Sequence, residues 1–326
     1  MRELTNTDFG MRTSDFGFEA GIIVDAGPTL GYGHAVRCMR LAHALESQAR
    51  VVFYPLSEHC EQFLREASPK SEFRNPNSEI DSLPPVVVTD LREAHTITLA
   101  IQRQGVRHIS IRDLGLAQSP SDVAIDGAIT RIFPYVPAKD RTVCLGPQYM
   151  ITRKPVERKK LTDTVLLTFG GGSTANFAYK ISEKVRRLGL KPVVTRGFAG
   201  GTFMTEDEFD HAMSTCQFAI SGSGVSLYDL LASGVPTIAV AFDRLQLRTA
   251  DAFHEQGAVL SAGLVERVTS ETLLHYGRGI LENRSLVQEM TETGKMLVDG
   301  KGLSRIVEIT RRELWLTSQT ETFTAC

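Results

Sequence analysis

Short apolar runs recur along the 326-residue chain, each followed by a stretch with helical spacing. This alternation predicts parallel β-sheets covered by helices. In the first half the strand candidates are Ile22–Asp25, Val51–Tyr54, Val86–Asp90, His108–Ile111, Ala124–Ile125 and Thr142–Leu145. Between the first two, Val36, Met39, Leu41, Ala42 and Leu45 fall on one face of a helix. The pattern breaks at Met150–Thr164, MITRKPVERKKLTDT, which is basic, holds a proline and has little apolar periodicity. It restarts at Val165–Phe169, continues in a helix over Asn176–Leu188, and runs on through strands at Pro192–Thr195, Phe218–Ile220 and Thr237–Val240. A last helix is expected over Ser304–Leu316, with a frayed tail from Thr317. The expected organisation is a flexible extension over 1–20, a Rossmann-like domain over 21–150, a linker over 151–164, a second Rossmann-like domain over 165–303, and a C-terminal helix and tail over 304–326.

Composition narrows the function classes. Hydrophobic residues make up 42% and charged residues 23%, values of a globular protein rather than a disordered one. A net charge of −2 argues against a polyanion as the main partner, so nucleic acid is not expected. No apolar run reaches the roughly 20 residues that cross a bilayer. The first 20 residues lack the apolar core of a signal peptide. The five cysteines are widely spaced with no CxxC pair, so neither a zinc site nor a disulfide framework is indicated, and the cytoplasm is the expected location.

The candidate chemistry sits in loops that follow strand candidates. The run from Ala26 to Leu45 places Gly31-x-Gly33-His34 just before the first helix, bringing main-chain N–H groups and one imidazole to a helix entrance. Phe169 is followed by Gly170, Gly171, Gly172 and Ser173, a set of small residues suited to a nest of N–H groups or simply to a turn. Gly222, Ser223, Gly224 and Ser226 lead into a further helix, whose free N–H groups suit a pyrophosphate, with the two serine hydroxyls as added donors. Asp229, one turn in, is expected to accept from ribose hydroxyls; otherwise it is a carboxylate that favours the helix dipole. In a third loop Gln246 can meet a sugar hydroxyl and Arg244 a phosphate, or both are ordinary surface groups.

Together these segments resemble the GT-B superfamily of sugar-nucleotide enzymes, in particular the subgroup of the pseudaminic-acid pathway UDP-sugar hydrolase and the SpsG-type spore-coat glycosyltransferases. The subgroup's Gly-x-Gly-His, basic residue and Leu-Ala helix are matched by Gly31, Gly33, His34, Arg37, Leu41 and Ala42. Its Gly-Gly loop is matched by Gly170 and Gly171, and its Gly-x-Ser/Thr-Leu-x-Glu-Leu element by Gly224–Leu230, with Asp229 in place of Glu. The Asp-Arg-Gln-Gln loop of the similar peptidoglycan N-acetylglucosaminyltransferase is matched by Asp243, Arg244 and Gln246. Two positions depart from the hydrolase: Leu245 stands for Asn, and Arg92 stands where a Tyr follows the strand-end Asp90.

The resemblance implies a GT-B-like fold and a UDP-sugar enzyme, a transferase in the first reading and a hydrolase in the second. A sugar-nucleotide-binding protein without catalysis is a third. It also implies nucleotide binding mainly on the second domain, inversion at the anomeric carbon, and a UDP-sugar donor with a small-molecule or glycan acceptor. No cofactor is expected, because helix-start N–H groups rather than a metal would stabilise the departing pyrophosphate. His34 is the expected general base, an imidazole ordinarily titrating at about pH 6.5. Arg37 and Arg92 are candidates to contact a carboxylate on the sugar or acceptor.

Overall fold

The computed structural model describes residues 17–76, 82–92, 96–116, 120–133, 141–170, 175–195 and 204–324. Most of the expected 1–20 extension, and Gly171, Gly172 and Ser173, lie outside these residues.

The first sheet is built from β1 (Glu19–Val24), β2 (Arg50–Pro55), β3 (Glu72–Phe73), β4 (Val86–Asp90), β5 (Arg107–Arg112), β6 (Val123–Asp126) and β7 (Thr142–Leu145). Helices α1 (Gly33–Leu45), α2 (Glu58–Ala67) and α3 (Thr96–Gln104) connect its strands. All pairings are parallel, in the order β3-β2-β1-β4-β5-β6-β7. Strand order therefore reverses between β1 and β4, which opens a crevice at their carboxyl ends. The two strands end together, with Val24 in register with Asp90.

The second sheet holds β8 (Thr164–Thr168), β9 (Lys191–Val194), β10 (Phe218–Gly222), β11 (Thr237–Ala241) and β12 (Leu260–Leu264). Its order is β12-β11-β10-β8-β9, again parallel, with the reversal between β8 and β10. Helices α4 (Ala175–Arg186), α5 (Glu206–Thr215), α6 (Val225–Ala232), α7 (Arg244–Glu255), α8 (Ser270–Glu282) and α9 (Arg284–Leu297) belong to this half. Central strands buried along their length, such as Val86–Asp90 and Thr237–Ala241, explain the continuous apolar runs of the sequence.

The last helix departs from expectation. It runs from Gly302 to Thr324 as α10, well past Thr317. Ile306 and Leu314 are buried in one cluster with Ile22, Leu41, Phe53 and Ile109, so α10 crosses back to complete the first domain's core.

The linker also differs from a free hinge. Residues 151–163 hold no helix or strand, yet they lie pinned along the second domain. Lys159 and Thr162 donate main-chain N–H bonds to the carbonyls of Ser214 and Thr215. The Arg158 guanidinium donates to the carbonyls of Met213 and Cys216. Where the chain first crosses between the domains, Met150 runs tight against two glycines. A Cβ on Gly127 would come 2.7 Å from the Met150 Cα, and one on Gly302 would come 2.1 Å from the Met150 carbonyl oxygen. Both crossings are thus packed backbone to backbone.

Candidate active site

The Gly-rich loop after β1 closes on itself through paired main-chain bonds between Gly27 and Gly31, at 3.2 and 2.7 Å. Gly31 takes a φ of +83°, the left-handed conformation that glycine adopts without a Cβ penalty. The chain then enters α1, which places His34 in its first turn.

His34 Nδ1 lies 2.7 Å from Oδ1 of Asp90, at the end of β4. Asp90 is fully buried, and the guanidinium of Arg37, one helical turn beyond His34, grips it in a fork. Arg37 Nη2 donates to Oδ1 at 2.6 Å, and Nε donates to Oδ2. The expectation that Arg37 reaches a substrate carboxylate is therefore corrected: its side chain is buried and bound to an internal one. Burial alone would raise the Asp90 pKa, but the charge of Arg37, then His34 and the bonds from both, hold it well below the usual carboxylate range. Burial and the Asp90 charge push the neighbouring Cys38 thiol up, so it stays protonated and unreactive.

A carboxylate can only accept, so the 2.7 Å contact selects the tautomer with its proton on Nδ1. Arg37 Nη2 stands 3.1 Å from Nδ1 because both donate to the same oxygen. That tautomer leaves the Nε2 lone pair as a base, and Nε2 has no hydrogen-bond partner among the described residues.

The second domain brings its own helix start to the same seam. A Cβ on Gly33 would come 3.1 Å from Val225 Cγ2, so the first residues of α1 and α6 touch. Neither helix has a side-chain N-cap bond or an acidic residue in its first turn. Two uncapped positive helix ends side by side form a place for negative charge.

Around α6 the predicted residues divide. Gly224 is exposed, and Ser226 half-buried, at the helix start. Ser223 is not a free donor: its hydroxyl is buried and bonds the Val240 carbonyl at 3.3 Å. Gln246 folds inward, its Oε1 accepting from the main-chain N–H groups of Ser223 and Phe242, each at 3.3 Å. It thus already occupies donors at the loop's base. Arg244 is exposed at the start of α7, whose N-cap Asp243 accepts from the Gln246 N–H at 2.8 Å. Gly170, two residues past β8, has a φ of +75° and open space where a side chain would be. Gly222 lies between Phe169 and Phe242, which form edge-to-face contacts with each other and with Phe177 beneath these loops. Arg92 is half-buried two residues past Asp90.

Asp229 is corrected most clearly. Both its oxygens are engaged within the protein, by the Arg40 guanidinium at 3.1 Å each and by the Arg153 main-chain N–H at 2.8 Å. With only 2% of the residue exposed, ribose hydroxyls cannot reach it in this arrangement. Among the described residues there is no cluster of three or more His, Cys, Asp or Glu able to hold a metal ion, and no helix is long and apolar enough to cross a membrane.

Asp90 and Arg40 are the site residues that sequence reasoning missed. Asp90 carried a signal, a carboxylate closing the run Val86-Val87-Val88-Thr89; Arg40 looked like any helix-surface arginine.

No family model matches the chain. It is similar to the spore coat polysaccharide biosynthesis protein SpsG of Bacillus subtilis (strain 168), 26% identical over 335 aligned residues that cover 89% of this chain and 96% of that protein. Among solved structures it is similar to MurG of Acinetobacter baumannii, with a TM-score of 0.62 at 14% identity, covering 90% of this chain and 99% of that one. It is also similar to the calicheamicin glycosyltransferase CalG4, with a TM-score of 0.63 at 12% identity, covering 91% and 98%.

Proposed function

We propose, from the premise that this chain is a GT-B-fold enzyme of the glycosyltransferase type, that it moves a sugar from a UDP-sugar to a hydroxyl-bearing acceptor by a single inverting displacement. The observation that carries the reading is the His34–Asp90 contact at 2.7 Å, which leaves Nε2 as a base at the seam between domains.

In this mechanism Nε2 of His34 takes the proton of the acceptor hydroxyl as its oxygen attacks the anomeric carbon. Asp90 keeps the ring in the Nδ1–H tautomer and faces the imidazolium that forms. The bond from the anomeric carbon to the pyrophosphate oxygen breaks on the opposite side, and the electron pair leaves with UDP. The adjoining starts of α1 and α6 would meet that growing charge through main-chain N–H groups near Gly33, His34, Gly224 and Ser226, without a metal. Gln246 would then give up its bonds to the loop N–H groups as phosphate oxygens replace its Oε1. Arg244, exposed at the rim, supplies a positive charge beside that path.

Similarity to SpsG, a spore coat polysaccharide biosynthesis protein, supports a glycan-related acceptor. The hydrolase reading, with water in place of the acceptor, uses the same base and leaving-group site. The replacement of Asn by Leu245 and of Tyr by Arg92 favours transfer over hydrolysis.

The test is UDP release from a panel of UDP-sugars without acceptor, alongside calorimetric binding of UDP. Binding without appreciable release indicates a transferase awaiting its acceptor. Release at about 1 per second or faster indicates a hydrolase. No binding of UDP or any UDP-sugar overturns the nucleotide assignment.

A further inference from the structure

The helix that carries His34 and the helix that begins at the pyrophosphate site are tied together one layer below their N-termini. Gly33 meets Val225 at the top of the seam. Further along both helices, Arg40 of α1 forks onto Asp229 of α6 with two bonds of 3.1 Å. The two helices are thus joined at their first residues and again, farther along, through one side chain of each. The Arg40 side chain is 14% exposed and that of Asp229 3%, so the pair is nearly dry.

The same carboxylate also accepts the main-chain N–H of Arg153, just after the chain has crossed between the domains. Close by, the Tyr228 hydroxyl accepts from the main-chain N–H of Ile129 at 3.2 Å, a further bond from the second domain to the first. Asp229 therefore stands where three pieces of chain converge: α1, α6 and the first crossing. A motion that separated α1 from α6 here would break the two-bond Arg40 fork and leave Asp229 only the Arg153 N–H of these three bonds.

We propose that Arg40 is a positioning residue: through Asp229 it fixes the helix of the base against the helix of the leaving group, at a pivot about which the domains move. In this arrangement Asp229 belongs to the pivot, and the nucleotide's ribose is read without it. The catalytic part of this inference rests on the proposed sugar transfer; the mechanical part does not.

Arg40→Met and Asp229→Asn, each checked for folding by thermal melting, separate the alternatives. Hydrogen exchange comes first, because it needs no substrate. Loss of either partner is expected to speed amide exchange in both Gly33–Leu45 and Val225–Ala232 by about tenfold or more, although each substitution lies in one domain. Acceleration confined to the substituted helix would overturn the pivot. Calorimetry with UDP and 2′-deoxy-UDP is the second measurement. Asp229→Asn is expected to keep the ratio of the two affinities within about twofold of wild type. Collapse of that ratio towards one, or tighter UDP binding by Arg40→Met, would make Asp229 a ribose site that Arg40 merely covers.

Turnover is the third readout. On a UDP-sugar that the wild type turns over, Arg40→Met is expected to lower kcat about tenfold with KM unchanged, and Arg40→Lys to restore part of it. A pair that only stabilises the fold would lower the melting temperature and leave kcat of the folded enzyme intact. If the wild type binds no UDP at all, the proposed function fails, while the exchange experiment still decides the pivot.

Discussion

Arg37→Met tests the electrostatic heart of the first domain. Methionine keeps most of the stem's volume, so the change chiefly removes the guanidinium. Arg37 is 2% exposed and Asp90 fully buried, and the carboxylate would lose two of its donors, keeping His34 and the weak Cys38 thiol. Removing one partner of such a pair costs about 3–5 kcal/mol, because the remaining charge stays out of water. At a urea slope of about 2 kcal/mol/M, the midpoint falls by about 1.5–2.5 M. Unfolding is followed by circular dichroism, with the fluorescence of the chain's single tryptophan, Trp315, on α10 beside the buried Leu314 but itself 46% exposed, as a second signal. The double variant Arg37→Met/Asp90→Asn removes both charges and should recover more than half of the loss.

The pH dependence gives a second check on sign. In the wild type the folded pKa of Asp90 is depressed, so its stabilisation is present above about pH 4 and is lost as pH falls through the lower folded value. In Arg37→Met burial dominates and raises the folded pKa, so protonation relieves the variant. The gap between the two proteins should shrink from pH 7 to pH 4. A midpoint unchanged by Arg37→Met, or a gap that widens on acidification, would refute the reasoning.

Further outcomes follow from other parts of the molecule. His34→Ala should retain UDP binding by calorimetry while losing sugar transfer by about 100-fold or more, the scale of a general base. Gly302→Ala drives a Cβ to 2.1 Å from a main-chain carbonyl and should lower stability by at least about 1–3 kcal/mol. Gly279→Ala in α8, with open space around its Cβ, should be neutral or stabilising in the same thermal melt. Ile306→Ala empties a fully buried site under α10 and should cost about 2–5 kcal/mol in urea unfolding followed by Trp315.

Much of the fold was legible because its central strands are buried on both faces and read as continuous apolar runs. Val86–Asp90 and Thr142–Leu145 match their expected bounds, and others differ by a few residues at their ends. The strand Leu260–Leu264 escaped: it is a half-buried edge of small residues, with Gly263 at a φ of +85°, and shows no alternation. At the site, the His34 loop stood out because a glycine pair and an imidazole at a helix entrance leave a local signature. Asp90 lies 56 residues from His34, and Asp229 lies 189 residues from Arg40, so no spacing rule could join them. What the sequence did not show is that Arg37 and Asp229 each meet an internal counter-charge. A charged side chain at a helix entrance reads the same whether it faces solvent or an internal counter-charge; only packing distinguishes them.

The return of α10 to the first domain has a consequence for how the protein comes into being. Ile306 and Leu314 seal a core begun by Ile22 and Leu41, so the half made first is finished last. On the ribosome the second domain can close once α9 has emerged, while the first waits, one flank bare, for α10. A nascent chain halted before Gly302 would carry a complete second domain and an unfinished first one, and such an intermediate is where chaperones should be found bound.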